Sequence, residues 1–177
     1  MSPLGRRWDH VRSVAQLASA IEPAFPAVSP GELVCAALLH DIGYSDQLAE
    51  TGFHPLDGGR WVRAQGHERI ACAVAHHSGA RVEARLRQIS DFEDEFPFAD
   101  DWLDRALTYC DMTTSPEGSR VRLSDRVAEI NARYGGQHTV TRAINASVPE
   151  FEEWIAEVEQ VVEAAGIQLN ESLAYRR

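Results

Sequence analysis

Six of the seven histidines in this 177-residue chain fall before residue 80: His10, His40, His54, His67, His76 and His77, with His138 the seventh. His40, His54, His76 and His77 sit at helix ends or on apolar helical runs. His40 closes the run "ELVCAALL" and is followed at once by Asp41, then by Ile42 and Gly43. Asp111 follows "ALTYC", a second run that should face a core. A polar group taken out of water without a partner costs roughly 2–7 kcal/mol. One shared divalent ion satisfies several such groups together, through neutral imidazole nitrogens and carboxylate oxygens. For Asp111 taken alone, a salt bridge to an arginine or a cap on the next turn serves equally well.

Helices must position these residues, because helix signals are strong along the chain and strand signals poor. Trp8, Val11, Ala15, Leu17, Ala18 and Ile21 recur near helical spacing over residues 6–21. Ser29-Pro30-Gly31-Glu32 predicts a capped start, with Ser29 as N-cap, for a helix that runs through "ELVCAALLHD". Apolar nearly all round, that helix belongs inside the protein. His54-Pro55 opens another helix, ended by Gly66, and "HERIACAVAHH" is a second buried one. "ARVEARLRQIS" is amphipathic, and the acidic stretch from Asp91 to Asp101 reads as a solvated loop. "DWLDRALTYCDMTT" and "DRVAEINARY" are helical. Two further helices are expected around 137–146 and 149–165, parted by Pro149, within a C-terminal stretch of 137–170. The reading is an all-α chain of about eight helices forming a single domain over 1–177, with a site-bearing core at about 6–135.

Composition narrows the partners. The formal net charge of −10 argues against a nucleic-acid polymer as partner, since binding one needs a basic face. All 17 basic residues are arginine, which the codons of a GC-rich, bacterial genome explain. Cys35, Cys72 and Cys110 are far apart, odd in number and set in apolar helical runs. They read as small buried hydrophobes rather than as a disulfide framework or zinc ribbon. No run approaches the ~18 apolar residues of a membrane span, and Asp9 and His10 interrupt any signal-like stretch, so a cytoplasmic protein with no membrane partner is expected. The oligomeric state is not legible. Arg60, Arg63, Arg69, Arg81, Arg85 and Arg87 make a basic island in an acidic chain. Most should pair along helices, as Glu83 with Arg87 at i,i+4, while Arg60 and Arg81 are candidates to meet a small anionic substrate.

His10 in "RRWDHVRSVA", the pair in "LLHDIGY" and Asp111 in "YCDMTTSPEG" together resemble the H…HD…D signature of the HD-domain superfamily of metal-dependent phosphohydrolases. The dipeptide alone is weak. Its position at the end of an apolar helix, before Ile-Gly, with a histidine upstream and an aspartate downstream, is specific. The resemblance covers about residues 6–135 and implies that His10, His40, Asp41 and Asp111 bind one metal. "HPLDGGRWVRAQG" and "AVAHHSGA" resemble the extra histidine segments of dinuclear members. That implies a second ion held by His54 and His76, with Asp41 bridging and central to catalysis, and His77 left for substrate. One or two divalent transition-metal ions (Mn, Fe, Co, Ni or Zn) are implied. Asp46 and Glu50 are only positional candidates for an acid or base.

The chain lacks the HHE and GYP-like stretches of cyclic-dinucleotide phosphodiesterases, the insertions of the triphosphohydrolase branch and the synthetase region of alarmone enzymes. The resemblance therefore implies a small stand-alone phosphohydrolase acting on a small phosphoester or nucleotide. The segment "TTSPEGSRVRLSDRVAEINARYGG" resembles the tail of small hydrolase-type members. The same ligand set also suits the mixed-valent di-iron oxygenases of the superfamily, which cleave C–C or C–P bonds. A non-catalytic regulatory module is a third reading, disfavoured by the full set of candidate ligands.

Overall fold

In a computed structural model that describes residues 3–169, the chain is helical, with no named strand among the described residues. Asn170, the last residue of the expected C-terminal stretch, lies outside them. Eight helices have seven residues or more, and a single four-residue helical turn joins them. They are α1 (Pro3–Ile21), α2 (Glu32–Leu39), α3 (His54–Ala64), α4 (Glu68–His76), α5 (Ala80–Leu86), the short α6 (Phe92–Glu95), α7 (Trp102–Met112), α8 (Leu123–Tyr134) and α9 (Thr139–Ala164).

The apolar α2 is flanked by α1, α4 and α7, as its sequence demands. Its start is capped differently from the reading above. Gly31 is the N-cap, and the Glu22 carboxylate, reaching from the preceding turn, accepts the Gly31 and Leu33 N–H groups at 3.0 and 3.1 Å. A carboxylate at a helix N-terminus both satisfies orphan donors and opposes the helix dipole. Val14, Leu17, Leu33, Ala37, Val74 and Leu107 join in one large core. A smaller cluster of Met112, Ile130, Ile144, Phe151 and Trp154 gathers the end of α7 with α8 and α9.

Three expectations need correction. Residues 139–164 form one continuous helix rather than two, with Pro149 inside it. Pro149 is exposed, so the carbonyl it leaves without an N–H partner lies on the solvent side, while Ile144, Ser147, Phe151, Trp154 and Val158 keep one stripe buried. The acidic stretch is not simply a solvated loop: Phe92 and Phe96 are buried and pin it to the core through α6. Of the cysteines, only Cys110 is fully buried, and Cys35 is exposed.

Two close approaches set the geometry around the histidines. The 3-10 turn Ile42–Tyr44 packs on the start of α3 so tightly that a Cβ on Gly43 would overlap the His54 carbonyl and stand 2.7 Å from the Gly58 nitrogen. Only glycine fits there. Asp57, buried on α3, accepts from the Thr51 hydroxyl and from the Glu50 and Thr51 amides, which fixes the loop that delivers His54. After α7, the segment Thr113–Val121 folds back. The Arg120 guanidinium donates to the Thr113 carbonyl at 3.0 Å and to the Tyr109 hydroxyl at 2.9 Å.

Candidate metal centre

Six polar side chains from five places in the chain converge. His10 comes from the middle of α1, His40 and Asp41 from the end of α2, and His54 from the first residue of α3. His77 follows the last residue of α4, and Asp111 lies in the last turn of α7. The Asp41 carboxylate lies at the centre. Its Oδ1 is 3.5 Å from His54 Nε2, 3.8 Å from His40 Nε2 and 3.9 Å from His77 Nε2. Its Oδ2 accepts from Arg7 Nη1 at 2.7 Å. Asp111 Oδ1 lies 2.9 Å from His10 Nε2 and 3.9 Å from His40 Nε2, and Ser78 Oγ donates to its other oxygen.

The imidazoles are oriented by one recurrent device. His40 Nδ1 lies 2.7 Å from the Ala37 carbonyl, His77 Nδ1 2.6 Å from that of Val74, and His10 Nδ1 3.0 Å from that of Ser115. A carbonyl can only accept, so each Nδ1 carries a proton, and in each neutral ring Nε2 is a bare lone pair. The Nε2 atoms of His40 and His77 face Asp41, and that of His10 is hydrogen-bonded to Asp111 at 2.9 Å. Burial pulls His40 below its ordinary pKa, and pulls His54 well below, more than Asp41 raises either, so both rings are neutral near pH 7. Burial alone would raise Asp41 and Asp111. Both are nonetheless held below the ordinary carboxylate range, Asp41 by the adjoining His40, His54 and Arg7, and Asp111 by the His10 hydrogen bond and by the neighbouring His40 and Arg126.

Lone pairs facing carboxylates without a proton between them repel, and a cation removes the conflict. His40 Nε2 makes that test concrete: it is buried with no hydrogen-bond partner among the described residues. His54 and His77 bring their Nε2 atoms within 3.2 Å of each other. Two groups have ligand atoms all within 4.8 Å of one another, His10–His40–Asp41 and Asp41–His54–His77, and they share Asp41. An imidazole tethered by Nδ1–H to a carbonyl, presenting Nε2, is the arrangement that metal-ligating histidines adopt. The residues present fit a divalent ion at each group.

His76, expected at the second ion, belongs to neither group. Its ring packs against Phe92 and Phe98, each at 5.0 Å between centroids, and its Nε2 bonds the Phe96 carbonyl at 2.6 Å. Adjacent residues leave a helix roughly 100° apart, so α4 sends one histidine into the core and its neighbour into the site. His77 is the member that sequence reasoning misplaced. A signal was available: His40 and His77 each cap the carbonyl three residues back, Ala37 and Val74, as the first residue past a helix.

Arg60 and Arg81 also lie away from the site. Arg60 makes a two-pronged pair with Glu95 at 2.7 and 2.6 Å, and Arg81 pairs with Glu150 over the Phe98 ring. The acidic stretch, held down by its phenylalanines, returns to neutralise the basic island: Glu95 meets Arg60 and Arg63, and Glu93 meets Arg85. Asp46 and Glu50 are exposed and do not border the site. The arginines that do border it are Arg7, Arg126 and Arg133, lining a cavity of about 340 Å³ that opens beside the histidines. Arg126 on α8 is buried, gives Nη1 to Glu129 at 2.7 Å and holds Nη2 3.8 Å from Asp111, while its buried Nε has no hydrogen-bond partner among the described residues.

Residues 7–130 match the HD domain family, 124 of the 177 residues. The chain belongs to the HD-domain family. No curated protein and no solved structure matches it. Members of the family are generally metal-dependent hydrolases, and the His/Asp groups of this HD domain could hold such a metal. No helix among the described residues is long and apolar enough to cross a membrane.

Proposed function

We propose that this HD protein is a metal-dependent phosphohydrolase of a small phosphoester. The observation that supports it most is the sharing of Asp41 between two three-residue ligand groups at the mouth of a cavity bordered by arginines. His10, His40, Asp41 and Asp111 would hold one divalent ion, and His54, His77 and Asp41 a second. Bound there, divalent ions acidify water towards neutral pH and polarise a phosphoryl oxygen.

The chain's own contribution is position and charge. Arg7 fixes the Asp41 carboxylate by its Oδ2, leaving Oδ1 turned to the histidines. Ser78 holds Asp111 in the same way. Arg126, which lines the cavity with its Nη2 3.8 Å from Asp111, supplies a planar cation beside the ligand cluster for an anionic head group.

The test is metal content and reactivity together. Purified protein should bind up to two ions per chain and hydrolyse phosphomonoesters with Mn(II) or Co(II), at an optimum above the range where the histidines protonate. Two irons per chain, oxygen consumption with Fe(II) and no phosphoesterase activity across a broad panel would overturn the reading in favour of the oxygenase one.

A further inference from the structure

The cavity has two unlike kinds of lining. One is the His/Asp cluster with Arg126. The other is a wall of Met112 from α7, Ile130 from α8, and Val140 and Ile144 from α9. Met112, Ile130 and Ile144 are buried members of the smaller core cluster, so this wall is a shaped part of the interior rather than loose surface. Val140 and Ile144 lie beyond residue 130, where the family match ends, while Met112 and Ile130 lie within it.

Size and polarity restrict what fits. At about 340 Å³, the cavity lies at the lower end of the roughly 300–1,000 Å³ range of small-molecule sites. A nucleobase presents several donors and acceptors that must be met when buried. Among the described residues no Asn, Gln or Thr side chain lines the cavity, the Ser78 hydroxyl is already given to Asp111 and Tyr134 is hydrogen-bonded with Arg133, which leaves the Tyr44 hydroxyl and Glu117 as the groups a base could use. Of the carboxylates there, Glu83 is engaged with Arg87, and Glu129 with Arg126 and Arg133.

We infer that the cavity takes a phosphomonoester whose alcohol part is apolar and no larger than a single ring, its head beside Arg126 and its body against Met112, Ile130, Val140 and Ile144. The phosphoester identity of the head rests on the hydrolase reading; the apolar, compact body rests on the wall alone.

Phosphonates, which cannot be hydrolysed at the P–C bond by this chemistry, separate the two. By calorimetry, Mn(II)-loaded protein should bind benzylphosphonate at least about tenfold more tightly than methylphosphonate, the gain that burying a ring on such a wall brings. A phosphonate bearing adenosine should bind no better than methylphosphonate. Ile144→Asp should erase the benzyl preference, read as the ratio of the benzyl- to the methylphosphonate affinity, in which the effect of the added charge on the shared head cancels. Val140→Asp, at the partly exposed edge of the wall, should reduce the preference and serves if the first variant fails to fold. Equal binding of benzyl- and methylphosphonate, tighter binding of the adenosine compound, or no binding of any of them overturns the inference. If the binding order holds but no phosphomonoester is hydrolysed, the cavity assignment stands and the hydrolase reading falls. Preferential hydrolysis of nucleoside monophosphates gives the converse.

Discussion

His76 and His77 are adjacent, equally buried and chemically identical, yet the fold assigns them to different environments. Substituting each should separate the roles. His77→Ala is expected to lose one ion per chain, besides the stability lost when the Val74 carbonyl loses its donor. His76→Ala should keep both ions and lower stability by about 1–3 kcal/mol, because the buried Phe96 carbonyl loses its donor. Elemental analysis and thermal melts read both, and loss of metal from His76→Ala would contradict the assignment. A second single-residue prediction concerns Asp104, buried at the start of α7. Burial, helped by Asp101 and Asp100, pushes its carboxyl up to about 6 from an unperturbed 3.8. Between about pH 4 and 6 the folded protein holds a proton that the unfolded chain has released, so stability falls as pH rises through that window. Above it the cost of the buried charge is constant. Asp104→Asn keeps an acceptor for the Asp101 amide and should stabilise the protein by about 2–3 kcal/mol at pH 8, with no gain at pH 3. Denaturant titrations at the two pH values check it, and an equal effect at both would refute the burial argument.

At the scale of elements, most helices were legible because apolar periodicity, proline starts and glycine stops agree along the chain. Pro149 shows where that logic ends: a proline breaks a helix only if its missing bond matters, and an outward-facing carbonyl is hydrated. Pro149→Ala restores the bond and should raise stability by about 1–3 kcal/mol, read by calorimetry. A loss of stability would mean that the proline shapes α9. Of the residues that converge, His40, Asp41, His54 and Asp111 stood out in the sequence by their settings on apolar runs or at helix ends, and His10 only through the family resemblance. The choice between His76 and His77 was not legible, since one residue of phase at a helix end is beyond what periodicity resolves. Arg60 and Arg81 were placed beside the substrate because their partners, Glu95 and Glu150, reach them only by tertiary packing, whereas the local Glu83–Arg87 pair forms as expected. Gly43 tests the junction of α2 and α3. Gly43→Ala forces the 3-10 turn off the His54 carbonyl, so it should weaken metal binding at His54 and His77 more than at His10 and His40. Equal loss at both, measured by metal titration, would point to general unfolding instead.

For the whole molecule, the ligand cluster joins helices that are remote in sequence, from α1 at His10 to α7 at Asp111. An ion bound there ties both ends of the family-matched region to the folded state alone. By mass action, free Mn(II) at a hundred times its dissociation constant should add ~2.7 kcal/mol to stability, and a chelator should remove it. A melting temperature unchanged by either would argue that no ion is held across these helices. The net charge of −10 bears on the same surface. Carboxylates outnumber arginines around the cavity, five to three, so bound cations would reverse its sign and admit an anion.

The contact between Gly43 and the start of α3 has a thermodynamic meaning as well as a steric one. Main chain, rather than long side chains, sets the distance from Asp41 to His54, so little freedom remains for an arriving ion to freeze. The ordering entropy is spent once, during folding, instead of at each binding event. A frame that stiff favours ions by radius, because it relaxes poorly around one that is too large or too small.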